Sequence, residues 1–294
     1  MISSPSQAGF FKKKVEIGTE DRPATLILPK NYNKKKPVPL VVGLHGLGTS
    51  ISQFELLFGL ARNQNKLGYA LITPEALPRP ADDLVAWNAT EECCRYGDDL
   101  DDSGYIQGLV RKAIAEHSID TDQVFLFGHS NGSFMNHRLA CDTNGLFKGI
   151  VGIAGSTFAS PELCLTGTPI NVLHIHGTED SIVPYTGENK DYPGAEETVA
   201  RWAERNQCQD FQETLLSENL LFFGFEPGYD DDDNLILIGS LKDISLKPES
   251  DALVYSQCKD ETVTGLWRVN GANHIPLFIG RNVVAKSLRF VGYK

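Results

Sequence analysis

No apolar run in this 294-residue chain approaches the roughly eighteen residues of a membrane-spanning helix, and the opening MISSPSQAGFFKKK has no long apolar centre of the kind a secretory leader needs. Linkers are missing too. No Ser-, Pro- or Gly-rich stretch, low-complexity tract or internal repeat divides the chain, so one domain over residues 1–294 is expected rather than two small ones. Positive charge is short: 27 Lys and Arg against 38 Asp and Glu leave a formal net charge of −11, which repels phosphate and argues against nucleic acid or an anionic membrane as partner. A neutral substrate fits better. Six cysteines stand at 93, 94, 141, 164, 208 and 258 without the pair-of-pairs spacing of a zinc site. No metal or other cofactor is therefore expected. The even count favours disulfides and an extracellular, oxidising setting, with a leader already removed; buried free thiols in a cytosolic protein are the alternative.

What the chain does have is 41% hydrophobic residues, ample for a sizeable core, and a strand-like run, VFLFGHSNGS over residues 124–133. Its Gly128-His129-Ser130-Asn131-Gly132 fits the G-x-S-x-G nucleophile elbow and makes Ser130 the candidate nucleophile. A serine at the tip of a sharp strand-to-helix turn sits in strained backbone, and flanking glycines remove the Cβ atoms that would clash. The helix after it aims its free N–H groups, Asn131 first, at an oxyanion forming there. An earlier buried strand, residues 38–44, ends in His45-Gly46-Leu47-Gly48, where a glycine-bracketed turn offers Leu47 N–H as second oxyanion donor. His45 is read as holding that turn rather than as catalytic.

The rest of the chain alternates strand and helix, with a helix over 53–66, a strand over 69–73 and an amphipathic helix on Ile106, Leu109, Val110, Ala113 and Ile114, which implies a mostly parallel sheet. Asp101 and Asp102 read as the cap of that helix, ahead of a paired acid/base role. Asn88-Ala89-Thr90 is a glycosylation sequon. Past the elbow, strands are predicted over 147–154 and 170–176. The second runs into Gly177-Thr178-Glu179-Asp180, placing an acid where a catalytic triad wants one; Asp180 is assigned, with Glu179 as rival. His174 and His176 share one strand face. Without further ligands at metal spacing they read as buried structural histidines. His274, after a last strand over 265–269, is the only histidine of the final hundred residues and is assigned as general base.

In combination the motifs resemble the secreted α/β-hydrolases grouped as polyhydroxybutyrate-depolymerase-like esterases, which include many feruloyl and acetylxylan esterases. The matching residues are Leu44-His45-Gly46, Trp87-Asn88, Cys93-Cys94, Asp101-Asp102-Ser103-Gly104-Tyr105, the elbow, Arg138 to Cys141, the block from His176 to Tyr185, and Trp202 before Cys208. The chain departs from the family at Ala272-Asn273-His274-Ile275-Pro276, where a tryptophan is usual, and in a longer stretch between Cys208 and Cys258. The resemblance implies an α/β-hydrolase fold with helices on both faces of the sheet and a serine esterase acting on a small-molecule or polysaccharide ester. Feruloyl or acetyl esters of plant polysaccharide rank first and solid polyester second. A tannase-type activity ranks lower, because its paired cysteines would stand where His129 and Ile275 are. Trp87, His129 and Ile275 are expected to contact substrate. A catalytically idle, ligand-binding hydrolase fold is the rival from another class. Within the 208–258 segment, the apolar runs 220–225 and 235–241 flank an acidic turn. They predict a β-hairpin beside the active-site rim, closed at its base by a Cys208–Cys258 bridge. The four aspartates at 230–233 read as a solvated tip rather than a calcium loop.

Overall fold

Along Val38–Leu44, successive side chains serve two cores: Leu40, Val42 and Leu44 enter one, Val41 the other. The same alternation separates Val124 and Leu126 from Phe125 and Phe127, as it must where both faces of a strand are covered. The computed structural model describes residues 13–94, 99–164, 167–188, 191–215, 222–229, 235–240, 250–278 and 283–294. In chain order its longer strands are β1 (Lys13–Glu16), β2 (Ala24–Leu28), β3 (Val38–Leu44), β4 (Ala70–Pro74), β5 (Ile119–His129), β6 (Gly149–Ile153), β7 (Asn171–Gly177), β8 (Asp210–Leu215), β9 (Phe222–Tyr229), β10 (Leu235–Ser240), β11 (Ser250–Ser256), β12 (Thr264–Val269) and β13 (Ile275–Phe278). A ten-stranded sheet runs β1-β2-β4-β3-β5-β6-β7-β12-β11-β8. Its centre, from β4 to β12, is parallel, and both margins are antiparallel.

The helices divide between the two faces. Phe54 and Phe58 of α1 (Ile51–Phe58), Leu60 of α2 (Leu60–Leu67) and Leu288 of α6 (Val283–Phe290) pack with Phe125 and Phe127. On the other side lie Ile106 and Val110 of α3 (Asp102–Glu116), Phe134 and Leu139 of α4 (Asn131–Asp142) and Trp202 of α5 (Ala195–Arg205). Each such fully buried apolar side chain contributes roughly 1.5–3 kcal/mol. This is the expected mostly parallel sheet with helices on both faces.

Three local expectations change. The helix predicted over 53–66 is two helices, because Gly59 turns left-handed (φ 67°), caps α1 through its N–H on Glu55 O and restarts the chain. Only Asp101 is a helix cap, accepting from Gly104 N at 2.7 Å. Asp102 is fully buried instead, ion-paired to Arg22 and accepting Asn88 N at 2.6 Å, while the Arg22 guanidinium lies 3.8 Å over the Tyr105 ring. Asn88 itself donates through its amide to Leu100 O, so the sequon asparagine is part of this knot. Finally, the antiparallel strands β8 and β11 extend the sheet beyond the predicted strands, α5 is a further helix, and β13 follows β12, the strand that was expected to be the last.

The predicted hairpin is present as the antiparallel pair β9 and β10, but β9 runs through Tyr229 and so takes in the first four residues of the acidic turn expected over 226–234; residues 230–234 lie outside the described residues. Strand β9 also pairs with β13, setting Phe225 opposite Ile275 in register. The insert is thereby joined through the backbone to the strand that directly follows His274. Disulfides join Cys93 to Cys94, Cys141 to Cys164 and Cys208 to Cys258, leaving no free cysteine. Cross-links between positions 23 and 50 residues apart restrict the unfolded chain enough to stabilise by about 3–4 kcal/mol each. Reduction should therefore lower the urea midpoint markedly; an unchanged midpoint with all thiols titratable would contradict this.

Candidate active site

The turn from β5 into α4 is forced by close backbone approach. A Cβ on Gly128 would lie 2.2 Å from Gly132 O, and one on Gly132 would lie 2.1 Å from Leu44 O, so neither position accepts a side chain. Between them Ser130 adopts φ 54°, ψ −123°, a strained conformation that pushes its side chain out of the turn. Its N–H is anchored on Ile153 O at 2.8 Å.

His274, in the loop between β12 and β13, places Nε2 2.9 Å from Ser130 Oγ and Nδ1 2.9 Å and 3.1 Å from the two Asp180 oxygens. Asp180 accepts at Nδ1, so that nitrogen carries the proton and Nε2 offers a lone pair to the serine hydroxyl. The Asp180 carboxylate also accepts from Ile182 N and Val183 N, both at 2.9 Å. Burial alone would raise its pKa, but hydrogen bonds from His176 and His274 and their charge interactions hold it well below the usual carboxylate range. Glu179, the rival acid, is exposed.

The Gly46–Leu47 peptide is oriented by its carbonyl. Gly46 O accepts from His45 Nδ1 at 2.8 Å, Thr49 Oγ1 at 2.9 Å and Thr49 N at 3.3 Å, which turns the Leu47 N–H the opposite way. A Cβ on Gly46 would come 3.1 Å from Ser130 Cβ, so this turn lies directly against the elbow. The His45 ring holds the turn, as expected, with Nε2 accepting Ala76 N at 3.0 Å; burial pushes its pKa down. Asn131 N–H, first of α4, has no acceptor within the helix.

The expected substrate contacts are placed differently. Trp87 is fully buried and donates Nε1 to His45 O, while its backbone N and O bond the Asn131 side chain at 2.7 and 3.0 Å. It ties the elbow to the Gly46 turn. His129 is buried behind the base, donating Nε2–H to His274 O at 3.0 Å; burial, then the nearby His274, bring its pKa down to about 3. Ile275 is buried where β13 begins. Trp87 and His129 are tied by hydrogen bonds to the loops that carry Ser130 and His274. The Asn131 side chain in this bracing was not foreseen; the elbow pattern leaves its fourth position open.

His174 and His176 are buried on β7, and no group of three or more His, Cys, Asp or Glu suited to a metal ion occurs among the described residues. His176 has a partner the sequence did not reveal: its Nε2 lies 3.2 Å from Asp180 Oδ2.

The chain is similar to "Probable feruloyl esterase C" of Aspergillus flavus, 28% identical over 174 residues, 57% of this chain and 58% of that one. It is also similar to "Acetylxylan esterase" of Coprinopsis cinerea, 24% identical over 173 residues, 55% and 46% of the two chains. The matches cover between 42% and 63% of the length of the first curated relatives. Among solved structures, the acetyl xylan esterase from Aspergillus awamori superimposes with a TM-score of 0.62 over 96% of this chain and 99% of that one, at 14% identity, which establishes the shared α/β-hydrolase fold. The sequence pattern of the phospholipase/carboxylesterase family matches residues 31–215, more than half of the chain, and the chain belongs to that family.

Proposed function

We propose that this chain is a serine carboxylic-ester hydrolase acting by acyl transfer, with feruloyl or acetyl esters of plant polysaccharide as its substrates. The observation that carries the reading is His274 held between Asp180 and Ser130 with both hydrogen bonds at 2.9 Å. Ser130 Oγ attacks the ester carbonyl as His274 Nε2 takes its proton, and the tetrahedral oxyanion is held by the N–H groups of Leu47 and Asn131. The proton passes from His274 to the departing alcohol, leaving an acyl-serine. Water then attacks with His274 again as base, and the acid leaves with Ser130 restored. No step calls for a cofactor. The relatives' names support the substrate class. The disulfides fit an extracellular, oxidising setting.

The test is a panel of methyl ferulate, p-nitrophenyl acetate, acetylated xylan and polyhydroxybutyrate films. Hydrolysis of the ferulate or the xylan ester is expected. Turnover of films alone would replace the polysaccharide assignment with polyester, and inertness toward the whole panel would overturn the esterase reading.

A further inference from the structure

Behind the acid, a row of buried imidazoles continues away from Ser130. His176 Nε2 faces Val183 O at 2.8 Å and Asp180 Oδ2 at 3.2 Å. Both partners only accept, so that nitrogen carries a proton. Its other ring nitrogen, Nδ1, meets His174 Nε2 at 2.9 Å. Farther on, Trp202 Nε1 lies 2.8 Å from His137 Nδ1. An indole nitrogen only donates, so His137 Nδ1 accepts and its Nε2 holds the proton. The unpartnered buried atoms His137 Nε2, His174 Nδ1 and Ser133 Oγ converge on one spot, 3.4, 3.5 and 2.4 Å from where a Cβ on Gly152 would sit. The nitrogens of His137 and His174 that face each other are unpartnered, so the sense beside the triad is fixed from the carboxylate end alone: with the proton on His176 Nε2, His176 Nδ1 accepts. His174 fits this sense by donating Nε2–H to His176 Nδ1. Burial supports it, keeping the His137 pKa down at about 3 and that of His174 well below its ordinary value.

We propose that His176 is a positioning residue for the triad: oriented by His174 and by Val183 O, it holds its Nε2–H 3.2 Å from Asp180 Oδ2, the oxygen that also lies 2.9 Å from His274 Nδ1, and so steadies the carboxylate for the base. The proposal rests on the esterase reading above and names a residue that reading does not need. Titratable groups facing the pair are His174 and His274, His129 behind the latter, and the phenols of Tyr185 and Tyr192, both pushed upward by burial.

The experiment compares His176→Leu and His176→Asn, which remove or shorten the donor, with His176→Gln, whose amide reaches the Nε2 position. In the first two, kcat should fall, by less than the roughly ten-thousandfold that spoiling the triad acid itself costs, with KM nearly unchanged. Freed of one donor, Asp180 binds the His274 imidazolium more strongly, so the acid limb of kcat/KM should move to higher pH. His176→Gln should restore both. If either donor-deficient variant folds and its acid limb stays at the wild-type pH, or if His176→Gln fails as they do, the positioning role is overturned. A readout independent of turnover separates this from failure of the esterase reading. The downfield proton resonance of His274 Nδ1–H should persist in Ser130→Ala and shift on adding His176→Asn; an unmoved resonance would overturn the proposal whether or not the chain hydrolyses esters.

Discussion

Ser130→Ala should abolish ester hydrolysis, by on the order of a millionfold, while leaving the fold and its thermal midpoint near wild type. The side chain is half-buried at the elbow, and its Oγ bonds His274 Nε2, so the change removes the nucleophile and little packing volume. The backbone strain at φ 54° is carried by alanine as by serine. Asp180→Asn should cost on the order of ten thousandfold for a different reason: an amide donating to His274 Nδ1 would put the imidazole proton on Nε2, facing the serine. Both are read from kcat/KM on p-nitrophenyl acetate beside far-UV circular dichroism. Wild-type turnover in a folded Ser130→Ala protein would end the serine-esterase reading.

The sites most legible in the sequence were those where chemistry constrains residue type and chain order together. Ser130 stood out because strained backbone needs glycine nearby, and Asp180 and His274 because they follow strands that deliver them to the same sheet edge. The structure brings these three side chains together. Less legible was anything set by partners distant in sequence. Asp102 looks like a helix cap until Arg22, eighty residues earlier, arrives against it. Trp87, His129 and Ile275 belong to segments near the site, but proximity along the chain does not say whether a side chain faces the ligand or braces the loop; Trp87 and His129 do bond to the loops around Ser130 and His274. The break at Gly59 escaped because apolar spacing continues through a left-handed cap, and the capping box of Ser50 and Gln53 starts the helix at Ile51, ahead of the predicted 53. The antiparallel strands β8 and β11 form one margin of the sheet, where β8 is exposed and the alternating apolar signal is weakest.

Acid should unfold this protein far more steeply than its carboxylates require. His129, His137 and His174 are buried and uncharged, the first two with pKa values brought down to about 3 and the third well below its ordinary value, in each case chiefly by burial. In the unfolded chain each takes up a proton as pH falls through about 6.5, and the folded state does not. The unfolded state therefore binds more protons, so stability rises with pH and is lost as pH drops below that value. Each group contributes a slope of about 1.4 kcal/mol per pH unit, and the three together roughly 4 kcal/mol per unit. A stability of about 5–15 kcal/mol would then be consumed within a few pH units. Asp180 works in a lower window: its depressed pKa gives stability that persists until pH falls below the ordinary carboxylate value, so losses between about pH 6.5 and 4.5 belong to the histidines. Urea titrations across that window should show the midpoint falling sharply at constant m-value. His137→Asn removes one titrating ring while an amide oxygen still accepts from Trp202 Nε1, so its slope should be shallower than wild type by about 1.4 kcal/mol per unit. A urea midpoint that stays level from pH 7 to 4.5 would mean that these imidazoles take up protons within the folded protein.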